Sequence, residues 1–124
     1  MDLIQKGEIE LSIFSLKGKV SDLDQKSEQY RQMKIKISKA IEELNSAKRQ
    51  VEKASSALTI NCKGKSIEKK AKEMSSEVSS ISGVINSLIS VSIECEAKMN
   101  EIKAQKQKTN DEIRKLQKKL NDDN

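Results

Sequence analysis

Histidine, proline and tryptophan are absent from this chain, and its aromatic residues are limited to Phe14 and Tyr30. Without histidine there is no imidazole base and no histidine-ligated metal. Without proline no interior residue is forced to lose a backbone donor and kink, so long helices are permitted. Cys62 and Cys95, the two cysteines, lie 33 residues apart, which excludes a CxxC pair. The four glycines are isolated and form no phosphate-cradling loop. Acid pairs such as Glu42-Glu43 and Asp111-Glu112 read as solvated helix charges. No residue set supplies both a nucleophile and a base, so neither an enzyme nor a cofactor is expected.

What the chain does have is a repeat of seven. Ile9, Leu16, Leu23, Tyr30, Ile37, Leu44, Val51 and Leu58 are all apolar or aromatic. A second series runs Ile67, Met74, Ile81, Leu88, Cys95, Ile102, Thr109 and Leu116, in which Thr109 is the one polar residue. Such a period marks long helices with a buried seam. The 124 residues suffice for one domain. The expected architecture is all-α, with two long antiparallel helices forming a coiled-coil-like hairpin. Helix 1 is expected over about residues 8–58, the turn over 59–65 and helix 2 over about 66–119, with frayed boundaries. Gly64 supplies positive φ at the turn, and Asn61 or Ser66 is positioned to cap the second helix. Gly7 and Gly18 weaken the start of helix 1. The acids near Asp122 oppose the helix dipole, so the chain's end is expected to fray.

Folding the chain at the turn, so that facing residue numbers sum to about 125, brings the two series into register. Leu58 faces Ile67, Val51 faces Met74, Leu44 faces Ile81, Ile37 faces Leu88, Tyr30 faces Cys95 and Leu23 faces Ile102. Alternate layers pair Ile41 with Ile85, Ile13 with Ile113, Val20 with Lys106 and Lys34 with Ser92. The polar layers weaken the seam but fix its register. A hairpin of this kind would be about 75 Å long. It would hold Cys62 and Cys95 on the order of 45 Å apart, too far for a disulfide. Cys95 then reads as a small core residue.

Net charge is +5, but it is dispersed. Residues 1–62 carry 11 basic and 9 acidic residues, and residues 63–124 carry 13 and 10. The densest basic cluster, Lys63, Lys65, Lys69, Lys70 and Lys72, has no aromatics interleaved for base stacking. A solvated helix surface is the better reading, and no nucleic-acid partner is expected. The N-terminus lacks the apolar core of a signal peptide. The uncharged stretch Val78–Ile93 spans 16 residues with six serines, short and polar for a membrane span. The chain is expected to be cytoplasmic, without membrane insertion.

The seam leaves apolar residues over. Val84, Ile89, Val91 and Ile93 lie off it, as do Met33, Ile35, Ala40 and Ala47 on the facing stretch of helix 1. A patch of this kind marks a protein contact. The hairpin is expected to complete a four-helix or larger bundle with a partner, either a second copy or another helical protein.

The stretch Asn61-Cys62-Lys63-Gly64-Lys65-Ser66-Ile67 resembles the Trp-x-Gly turn of the WXG-type small helical hairpins. Gly64 matches the family glycine, and Cys62 stands where the tryptophan is usual. The long first helix and the Lys-rich end of the second resemble the YwqH-like accessory proteins of LXG toxins in bacterial type VII secretion. The resemblance implies a non-catalytic adaptor or chaperone. It would bind the helical N-terminal domain of an LXG effector, alone or with a second small hairpin protein, and support its export. It could leave the cell with that partner. Many relatives carry an aromatic-x-x-x-acid export signal after helix 2. This chain has no aromatic there, so the signal is expected from the partner. The competing expectation is a structural homodimer or tether with no secretion role.

Overall fold

A computed structural model of the protein describes residues 1–61 and 64–122. Two helices dominate these residues, α1 at Leu3–Asn61 and α2 at Lys65–Asp122. They pack against each other as an all-α helical hairpin, and no strand occurs among the described residues.

Both helices exceed the expected bounds of 8–58 and 66–119, for local reasons. Asp2 and Gln5 form a reciprocal cap. The Asp2 carboxylate accepts from the Gln5 backbone N–H at 2.7 Å, and the Gln5 side chain accepts from the Asp2 N–H at 3.2 Å. Two orphan donors are satisfied together, which carries α1 back to Leu3 and through Gly7 and Gly18. At the far end α2 continues to Asp122, with Lys119 in its last turn to complement the dipole.

The cap of α2 also differs from expectation. Gly64 has φ +137° and its carbonyl accepts from the Glu68 N–H at 3.0 Å. Gly64 therefore occupies the cap position, whereas Asn61 ends α1 and Ser66 already lies inside α2. The positive φ is why glycine is needed there: a Cβ would meet no neighbour, so the restriction is conformational. Cys62 and Lys63, the other two residues of the turn motif, lie outside the described residues.

Contacts divide the chain into two compact units, Met1–Gln32 with Cys95–Asn124, and Met33–Glu94. The first unit joins the beginning of the chain to its end, as antiparallel packing requires. Its covered positions on α1 include Ile9, Ile13, Leu16, Val20, Leu23, Ser27 and Tyr30, alternately four and three apart. Those on α2 include Cys95, Met99, Ile102, Lys106, Thr109, Ile113 and Leu116. Buried among them are Ile13, Leu23, Cys95, Ile102, Thr109 and Ile113, with Cys95 the deepest at 3% exposed. Thr109 tolerates burial because its hydroxyl donates to the Gln105 carbonyl at 2.8 Å. Lys106 Nζ reaches Asp24 across the seam at 2.7 Å. Val20 lies opposite Lys106 in the sequence register, and the lysine stem carries its charge one turn further along α1.

The second unit, Met33–Glu94, is a closed hairpin. The same alternation covers Ile37, Ile41, Leu44, Val51 and Leu58 on α1, and Ile67, Met74, Ile81, Ile85 and Leu88 on α2. Here only Ile37 and Ile85 are buried, and the other named seam residues remain half-covered.

Candidate protein-docking surface

The second unit is rich in apolar side chains yet poorly covered. Met33, Ile35, Val84, Ile89, Val91 and Ile93 range from 38% to 65% exposed. Ala40 and Ala47, grouped with them by sequence, are half-buried at the edge of the seam. Two packed helices bury one stripe of each, and α2 between Val78 and Ile93 is uncharged around its whole circumference.

The seam register divides these residues into two groups. Met33, Ala40, Ala47, Val84 and Val91 each immediately precede a seam position: Lys34, Ile41, Lys48, Ile85 and Ser92. Ile89 instead follows the seam residue Leu88, and Ile35 and Ile93 follow Lys34 and Ser92. Residues before and after the seam lie on opposite sides of it, and antiparallel helices put like positions on the same side. The single leftover face expected from sequence is therefore two flanks, one on each side of the hairpin.

Two serines of this stretch are satisfied within the helix. Ser87 donates to the Gly83 carbonyl at 3.1 Å and Ser90 to the Asn86 carbonyl at 3.2 Å. Hydroxyls bonded back in this way have less need of water. The stretch can thus be covered by another surface at lower cost than its serine content suggests. Among the described residues, α2 alone holds an 18-residue window of mean hydropathy as high as 1.4 with few charges, a length and composition that could cross a membrane. The facing part of α1 carries Lys36, Lys39, Glu42 and Glu43, all exposed. A bilayer around this hairpin would have to take in those charges, at several kcal/mol.

Chemistry of other kinds is sparse. Among the described residues no group of three or more Cys, Asp or Glu is placed to hold a metal ion. Among the described residues, Glu28 in the first unit has its carboxyl held down to about 2. The cause is hydrogen bonding from Arg31, through Nε at 2.8 Å and Nη2 at 2.6 Å, with Gln32 adding a third bond at 2.9 Å. This is an exposed intrahelical clamp on α1.

Sequence reasoning passed over one further group, Leu3, Ile4, Leu11 and Phe14 at the start of α1, all highly exposed. Their signal was present as apolar residues at helical spacing outside the seven-residue series. The chain matches no known protein family, no curated protein and no solved structure.

Proposed function

We propose that this protein is a non-catalytic helical adaptor whose second unit covers the apolar helices of another protein. The observation that carries this reading is the exposure of Met33, Ile35, Val84, Ile89, Val91 and Ile93 on a hairpin whose own seam is made by other residues. Patches of that kind are stable in water when a partner covers them. Two flanks on opposite sides suit a hairpin set between helices, as in a four-helix or larger bundle. The charges on the facing stretch of α1 favour a protein partner over lipid.

The resemblance of the Gly64 turn to WXG-type hairpins suggests which partner. We take it to be the helical N-terminal domain of an LXG-type toxin effector, kept soluble in the cytoplasm and competent for type VII export. The export signal would then reside on the effector or on a second small hairpin protein.

Co-expression with an LXG protein from the same host is the direct test. The expected result is a stable complex, recovered at defined stoichiometry, and an effector that is less soluble and less exported without this chain. An effector equally soluble and equally exported alone would remove the adaptor reading. A homodimer joined through the flanks of the second unit, with no effector bound, would replace it with the structural tether.

A further inference from the structure

The beginning of α1 carries an apolar surface independent of the one just assigned. Leu3, Ile4, Leu11 and Phe14 are 88%, 74%, 70% and 78% exposed, more than any apolar residue of the second unit's flanks. Ile4, Gly7, Leu11, Phe14 and Gly18 recur at steps of three and four and so form one straight stripe. The stripe lies away from the seam, which takes Ile9, Ile13, Leu16 and Val20. A Cβ built on Gly7 or Gly18 meets nothing within 4 Å, so the backbone there is open to close approach. The chain's one phenylalanine is placed on this open face. Its narrow, straight form suits a single helix laid along it.

The charges beside the stripe say which helix. Glu10 and Lys17 sit on the same flank, seven residues apart, near either end of the Gly7–Gly18 segment. Lay a second copy of α1 antiparallel, with Leu11 against Phe14 of that copy. Gly7 then meets Gly18, and Glu10 comes within about 3 Å of axial alignment with Lys17. Every contact occurs twice, as a two-fold interface requires. A parallel pairing would instead bring Glu10 to the other flank of the second copy, beside its Glu8, and leave Lys17 beside Ser15.

We propose that two copies of this chain associate through the outer face of α1 at residues 4–18. The helices run antiparallel, Leu11 packs on Phe14 of the second copy, and Glu10 pairs with its Lys17. Ile4, Leu11 and Phe14 bury on the order of 400 Å² per copy, about half the ~800 Å² of a standard interface, so a weak, concentration-dependent association is expected. The contact leaves the second unit uncovered and can coexist with effector binding. Its failure would not bear on the adaptor reading.

Sedimentation velocity over a range of concentrations tests it, with circular dichroism to check that each variant stays helical. Wild type should show a concentration-dependent dimer. Leu11→Glu and Phe14→Glu should each weaken it about tenfold or more, since they set like charges into an apolar seam. Glu10→Lys alone and Lys17→Glu alone should also weaken it, and the double exchange should restore it. A chain still monomeric at about millimolar concentration overturns the proposal. So does a dimer insensitive to Leu11→Glu and Phe14→Glu, or one lost instead on Val84→Glu. Loss of the dimer in the double exchange overturns the antiparallel pairing.

Discussion

Thr109 shows how a seam accommodates a polar residue. It is 4% exposed, and its hydroxyl is satisfied by the Gln105 carbonyl of its own helix. That carbonyl retains its ordinary helical partner without the hydroxyl. Thr109→Val should therefore stabilise the protein by about 1 kcal/mol, because a methyl replaces a hydroxyl of the same shape in an apolar layer. A rise of a few degrees in thermal midpoint would show it. Glu28 makes a different point. Its carboxyl lies far below the ordinary 4.5 because Arg31 and Gln32 bond the charged form. A depressed carboxyl contributes stability that is present above the unfolded value and lost as pH falls through the folded one, here between 4.5 and about 2. The pair is half exposed, so solvent screening keeps the contribution small. An NMR titration of the side-chain carboxyl should place Glu28 well below the ordinary 4.5, and Arg31→Ala should bring it back toward that value.

At the scale of the helix, the seven-residue period was legible from sequence while the ends were not. Periodicity accumulates over many turns, but a helix end depends on one or two side chains. The Asp2–Gln5 cap was readable in principle as an acid followed three residues later by glutamine. It was masked by Gly7, whose intrinsic helix penalty of about 1 kcal/mol is spread over a 59-residue helix. Asp2→Ala should fray the first turns of α1 at a cost of about 1 kcal/mol, visible as faster amide exchange over residues 3–7. The global unfolding midpoint should move little, since those turns lie outside the buried seam. The second cap was misassigned for a related reason. Asn61 and Ser66 have suitable side chains, but Gly64 has the backbone freedom the turn requires, with φ at +137°.

Across the molecule, packing is uneven between the two units. Among the described residues, the first buries six and the second only Ile37 and Ile85, although the second holds the most apolar part of α2. Val84→Glu should therefore leave helicity and thermal stability nearly unchanged, because Val84 is half exposed and off the seam. It should abolish capture of the partner protein in a pull-down, since a buried unpaired charge costs far more than an exposed one. Loss of folding in that variant would place Val84 in the hairpin's own core instead.

The sequence by itself determined the fold class and the seam, because a heptad pattern names its buried face without knowledge of the partner helix. It also marked Met33, Ile35, Val84, Ile89, Val91 and Ile93 as surplus to that seam. The tertiary structure decided the rest. How deeply each seam residue is covered depends on the side chains opposite it, so Cys95 is buried while Leu44 is only half-covered. The exposure left to each surplus residue depends likewise on the packed helices, which is why Ile93 stands at 65% exposed while Ala40 and Ala47 are half-buried.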